Sequence, residues 1–384
     1  MIQAPVEGSV EAGFEPVRDT FAANFERYGE VGAAFCVHRH GRRIVDLWGG
    51  VTAPGTSEPY TADTLQMVMS TTKGVVAIAA HILAEEGRLD FDAPVVDYWP
   101  EFAAEGKGRM PVRWLFSHRA GLAAIDGPLG LEDVLAWDPV VDALAEQRPN
   151  WEPGSAHGYH ALTYGWLAGQ VVRRVAGMSV GKFVAERLAS PLALDLWIGL
   201  PGPLNSRVAP QIPAPPPPPG DDADPFAARL ADTNSLMHRA FTNPAGLFTA
   251  ANTPAFRAAE VPAANGIATA RSLSRLYAAC IGEVDGVRLL KPEIVERGMR
   301  PEAEGEDLVL GYETRYGTGF QLSFPNRPMA GEGSFGHYGM GGSMAFAHPA
   351  SGLSFGYTMN QMLSASGPDP RSTALIQAVL RCAG

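Results

Sequence analysis

Between residues 9 and 29 the apolar positions Phe14, Val17, Phe21 and Phe25 recur at helical spacing, which predicts an amphipathic helix. Two strand-like runs come next, 32–37 and 43–48, with His40-Gly41 between them, and predict a β-hairpin. From 71 to 86 the pattern changes. Val75, Val76, Ala77, Ile78, Ala79, Ala80, Ile82 and Leu83 cover nearly the whole circumference of a helix that stops at Gly87. A helix apolar all round is buried on all sides, so this one belongs at the centre of the molecule, with Ser70 at its start.

The stretch from about 88 to 300 reads as short helices broken by Pro- and Gly-rich loops. Its proline run, Pro213 and Pro215 to Pro219, cannot be helix or central strand and is expected to be a polyproline strap on the surface. Runs 316–324, 343–348 and 354–360 return to strand character, and 371–380 is helical. Strands at both ends with helices between predict one sheet built from both termini. The expected division is a sheet-bearing part, 1–80 with 308–384, and an inserted helical part, 81–307.

Composition narrows the function. The 384 residues are 46% hydrophobic and 18% charged, with a net charge of −11. No Lys/Arg-rich run exists to neutralise phosphates, so neither nucleic acid nor an anionic membrane surface is an expected partner. Cys36, Cys280 and Cys382 are far apart and match no disulfide framework or metal-ligand spacing. No apolar run approaches the ~18 residues of a membrane span. The start of the chain lacks a basic segment followed by an apolar one, so a cytoplasmic location is expected.

Only four lysines occur, Lys73, Lys107, Lys182 and Lys291. One of them stands in Ser70-Thr71-Thr72-Lys73. A serine hydroxyl needs a base to become nucleophilic, and residues three apart on a helix share a face. Burial at the helix start would lower the lysine's proton affinity and let it serve as that base. Ser179-Val180-Gly181-Lys182 repeats the spacing, but Ser179 comes after Gly177 and precedes a short surface helix, where a serine is an N-cap. A second motif, Gly158-Tyr159-His160-Ala161, precedes a helical run, 162–176; Tyr159 could share the proton transfer if a cation such as Lys73 held down its pKa. A third, Gly336-His337-Tyr338-Gly339-Met340-Gly341-Gly342, is dense enough in glycine to let its backbone approach another group closely, as an oxyanion hole requires.

Taken in this order, the three motifs resemble the active site of class C β-lactamases, serine penicillin-binding proteins and family VIII carboxylesterases. Leu115-Phe116-Ser117-His118-Arg119-Ala120-Gly121-Leu122 and other segments extend the resemblance over roughly residues 15 to 380. It implies an α/β sandwich with an antiparallel sheet and an inserted helical domain. It implies Ser70 as acylated nucleophile, Lys73 and Tyr159 as the proton-transfer pair, and the N–H groups of Ser70 and Met340 as the oxyanion hole. His337, Tyr338 and Gly339 would line the substrate, with no metal or organic cofactor needed. Two departures point to the esterase branch acting on a small ester. Ala161 stands where the β-lactamases carry Asn, and His337 where they carry Lys.

Other readings stay open on the sequence alone. Gly352-Leu353-Ser354-Phe355-Gly356 matches a nucleophile elbow, but strand rather than helix comes after it. His118, His157, His160 and His337 invite a Ser-His-Asp reading, although His118 fits a structural hydrogen-bonder better. A β-lactamase, amide hydrolase or acyltransferase on the same fold, or a non-catalytic binding protein, are the alternatives.

Overall fold

The computed structural model describes residues 6–215, 225–363 and 367–384. Its centre is a nine-stranded antiparallel sheet. In spatial order the strands are Val6–Val10, Arg42–Gly50, Gly32–Arg39, Leu353–Met359, Met344–His348, Phe335–Tyr338, Gln321–Leu322, Glu313–Tyr316 and Ala303–Glu306. Both ends of the chain therefore meet in the middle of one sheet, where Phe355 faces Val37. Two of these elements differ from the sequence-based expectation. The expected helix over 9–29 is a strand, Val6–Val10, followed by a helix that begins only at Glu15. The expected strand over 316–324 folds back on itself, because Gly317-Thr318-Gly319 turns and pairs Tyr316 with Gln321.

Side chains alternate across the sheet. Met344 and Phe346 point into a core closed by the terminal helices Glu15–Tyr28 and Pro370–Ala383, with Val17, Phe21 and Leu375. Ala345 and Ala347 point the other way, into the larger core with Phe335 and Leu322. That second face carries small residues because the helix Ala270–Ile281 lies directly on it. A Cβ on Gly356 would sit 2.3 Å from the Ala270 carbonyl oxygen and 2.8 Å from the Ser274 nitrogen. The Gly-x-Ser-x-Gly run is thus a packing device. Ser354 is wholly buried in its strand and donates to the Ser274 carbonyl at 2.9 Å.

The all-apolar helix runs Thr72–Glu85, and every residue from Thr72 to Leu83 is buried. It packs between the sheet and the helix Thr163–Ala176. A second, three-stranded sheet of Gln66–Met67, Ile267–Ala268 and Leu196–Trp197 anchors the segment that enters it. Of the proline run, Pro213 accepts a hydrogen bond from Gln361 at 2.9 Å, whereas Pro216 to Pro219 lie outside the described residues. Among the described residues no helix is long and apolar enough to cross a membrane.

Gly356→Ala is expected to lower stability by ~1–3 kcal/mol, because its methyl group forces the helix off the sheet. Urea unfolding monitored by circular dichroism checks this; an unchanged midpoint would refute the close-packing account.

Candidate active site

Ser70 sits in a single 3-10 turn, Met69–Thr71, that runs into the central helix. Met69, just before it, is held at φ +46°, a left-handed conformation that costs a non-glycine residue energy and marks a tightly determined turn. Val68 and Thr72 hold that turn in place. The Val68 N–H donates to the Gly266 carbonyl at 2.8 Å, and the Thr72 hydroxyl donates to the Met69 carbonyl at 2.6 Å.

Lys73 is fully buried. Its Nζ lies 3.1 Å from Ser70 Oγ, 2.8 Å from the Ala161 carbonyl oxygen and 3.0 Å from that of Ala263. Among the described residues no carboxylate pairs with it. Burial alone holds its pKa well below the ordinary lysine value. In the uncharged form two N–H groups meet the two carbonyls, and the lone pair is left for the Ser70 hydroxyl proton. Ala161 contributes only its backbone oxygen here.

Tyr159 stands on the other side of Ser70. Lys73 Nζ lies 4.8 Å from its ring centre. The expectation that this lysine holds down the tyrosine's pKa does not survive. Burial pushes the Tyr159 phenol above its usual value, and a hydrogen bond with Ser70 pulls it only part of the way back. The same burial lowers the Lys73 pKa, so Tyr159 holds its proton more tightly and Lys73 less tightly than either would in water, both within reach of one hydroxyl. Tyr316 stacks on Tyr159 at 6.3 Å and 12°. Asp307, which no sequence motif singles out, accepts the Tyr159 backbone N–H at 2.9 Å, together with those of Val309 and Leu310.

The glycine-rich strand lies against the Ser70 turn. A Cβ on Gly339 would meet Ser343 Oγ at 2.1 Å and the Val68 carbonyl oxygen at 2.4 Å. The Ser343 hydroxyl donates to that Val68 oxygen at 2.8 Å and lies 3.2 Å from Thr71 Oγ1. Among the described residues neither the Ser70 nor the Met340 N–H has a hydrogen-bond acceptor. Behind the loop, the buried Arg371 guanidinium donates to the Gly341 carbonyl at 2.6 Å while pairing with Asp369 and Glu30. The cleft over Ser70 also takes in His337, Tyr338, Gly339 and Met340. Its apolar walls include Phe226, Phe241, Leu310, Tyr312 and Tyr316.

The histidines divide. His160 Nδ1 donates to the Gly158 carbonyl at 2.7 Å and its Nε2 accepts the Leu122 N–H at 3.0 Å. His118 Nδ1 accepts the His160 N–H at 3.1 Å. His157 bonds Thr314 at 2.8 Å. These three are scaffold. His337 Nδ1 donates to the Tyr338 carbonyl at 2.6 Å, and its ring lies 6.1 Å from that of Tyr159. Ser179 is an N-cap whose oxygen accepts the Lys182 N–H at 3.2 Å, and Lys182 is exposed and pairs with Glu186.

The chain belongs to the beta-lactamase family, whose model matches residues 17–380. It is 35% identical over 374 residues to the esterase/beta-lactamase LipL of Mycobacterium tuberculosis, covering 94% of this chain and 84% of that one. A solved family VIII carboxylesterase superposes with a TM-score of 0.90 at 39% identity, covering 98% of this chain and all (100%) of that one. A penicillin-binding protein homologue from Caulobacter crescentus gives 0.88 at 38%, with 98% and 100% covered. The fold and family expected from the three motifs are thus borne out.

Burial lowers the pKa of both His160 and His337 from 6.5 to about 3. Their neutral burial contributes stability that is complete above pH 6.5 and is lost as pH falls toward about 3. Long-range nitrogen–proton NMR is expected to find both rings uncharged and Nδ1-protonated from pH 8 down to pH 5; an imidazolium signal from either at pH 5 would contradict the buried geometry.

Proposed function

We propose that this protein is a serine carboxylesterase that hydrolyses small esters through an acyl-enzyme on Ser70. The observation that carries the reading is the buried Lys73 nitrogen, which lies 2.8 and 3.0 Å from two carbonyl oxygens and 3.1 Å from Ser70 Oγ. The cleft would lie between the sheet-bearing part, whose expected span of 1–80 with 308–384 extends to take in the edge strand Ala303–Glu306, and the inserted part, expected as 81–307.

Ser70 Oγ attacks the ester carbonyl carbon as its proton passes to Lys73. The developing oxyanion takes hydrogen bonds from the Ser70 and Met340 N–H groups, held rigid by the Ser343 tie. The tetrahedral intermediate collapses, and the departing alkoxide takes a proton from the Tyr159 hydroxyl, which Lys73 replenishes. Water then attacks the acyl carbon, giving one proton back to the pair, and Ser70 leaves with a proton. The esterase names and titles of the similar proteins support this assignment. The two departures from the β-lactamase motif, at Ala161 and His337, remove the amide side chain and the fixed cation of that branch and support esters over β-lactams.

A fluorophosphonate is expected to add once per chain, on Ser70, in wild type and Ser354→Ala but not in Ser70→Ala, by intact mass and peptide mapping. Adduct on Ser354, or none, would overturn the assignment. Tyr159→Phe is expected to cut kcat by ~10²–10⁴-fold with little change in melting temperature; near-wild-type turnover would remove Tyr159 from the mechanism.

A further inference from the structure

His337 is 3% exposed and lines the cleft beside Ser70 and Tyr159. Its bond to the Tyr338 carbonyl spends the Nδ1 proton. A neutral imidazole carries one N–H, so Nε2 presents a lone pair. No protein group among the described residues bonds that lone pair. An unsatisfied buried acceptor is destabilising, so the site gains by bringing it a donor. Of the catalytic groups, the Lys73 nitrogen is engaged by two carbonyls and Ser70, and the Tyr159 hydroxyl bonds Ser70; the buried Tyr277 hydroxyl has no partner of its own.

One reactant brings a spare donor to this place. The water of the second half-reaction has two protons. The Lys73–Tyr159 pair takes one as the oxygen attacks, and the other needs an acceptor that fixes the lone pair on the acyl carbon. We infer that His337 Nε2 accepts that second hydrogen bond and so orients the hydrolytic water. In this role His337 is a neutral acceptor, where a lysine could only donate. The new C–O bond forms as the Ser70 C–O bond breaks. The proton taken by the pair goes to Ser70 Oγ, and the proton held at Nε2 stays on the product acid. The inference rests on the acyl-enzyme reading of Ser70.

It predicts a split between the half-reactions. In His337→Met, fluorophosphonate labelling of Ser70 should proceed within about twofold of wild type, while release of an acetyl group should slow by ~10²-fold. A p-nitrophenyl acetate burst with a slow steady state after it, and the acetyl adduct visible by intact mass, would record it. His337→Gln, which offers an amide oxygen, should recover much of the release rate. Added methanol should divert more acyl group to methyl ester in His337→Met than in wild type. Equal slowing of labelling and release, or unchanged release, would overturn the role of His337. If His337→Met fails to fold, His337→Gln decides alone, because release at the wild-type labelling-to-release ratio supports an acceptor and loss of release with labelling intact refutes it. Absence of any wild-type adduct would instead sink the acyl-enzyme reading itself.

Discussion

The arrangement depends on one primary amine kept out of water. A lysine side chain loses several kcal/mol of hydration when buried as a cation, and an isolated one gives up its proton instead. Among the described residues Lys73 has no carboxylate to hold that proton, and it is fully buried. The carbonyls of Ala161 and Ala263 come from segments about a hundred residues apart, yet both end on the same nitrogen. Two carbonyls take two of its hydrogens, and the third position faces the Ser70 hydroxyl, which accepts from the ammonium and donates to the neutral amine. Arginine, the residue this chain otherwise prefers for positive charge, could not do this, because a guanidinium does not deprotonate in a protein. The all-apolar character of Thr72–Glu85 is therefore chemistry as well as packing: it removes the water that would keep Lys73 charged.

The second constraint is distance. The Ser70 turn and the Met340 turn belong to different parts of the chain, and their N–H groups can serve one oxygen only if they keep a fixed spacing. Gly339 permits the approach, since any side chain there would strike Val68 and Ser343. Ser343 then locks it through the Val68 carbonyl and Thr71. From behind, Arg371 fixes the Gly341 carbonyl and ties the loop to Asp369 at the start of the last helix and to Glu30 after the first. Burying a guanidinium with two carboxylates is costly to undo, because removing any partner strands a charge. The terminal helices thus brace the loop from the far side of the sheet.

The legible part of the sequence was local. Ser70 and Lys73 lie three residues apart, so helical geometry alone puts them together. Gly339 announces a close approach without naming its partner. The decoys at Ser179 and Ser354 were separable by the element each serine leads into, a short surface helix for the first and a strand for the second. Contact at long range through backbone atoms was not legible. Nothing about Ala161, Ala263 or Asp307 signals that a carbonyl or carboxylate will be the functional atom. The strand Val6–Val10 was hidden for a related reason. It is an edge strand with mostly exposed side chains, held by its backbone register with Arg42–Gly50, so it carries no alternating pattern. The turn at Gly317-Thr318-Gly319 interrupts an otherwise apolar run because Gly319, at φ +87°, packs on Ala77 of the central helix.

The replacement of a lysine by His337 changes the electrostatics of the whole site. A fixed cation in place of His337 would face Lys73, repel its ammonium form and lower its basicity. A neutral ring spares Lys73 this penalty and leaves it the stronger base toward Ser70. The same change removes a donor that could hold an anionic substrate group and puts an acceptor in its place. Stronger activation of the nucleophile with less grip on a carboxylate suits an ester, whose alkoxide departs with little help, better than an amide, whose nitrogen must be protonated to leave. The departure at His337 therefore favours an ester on chemical grounds.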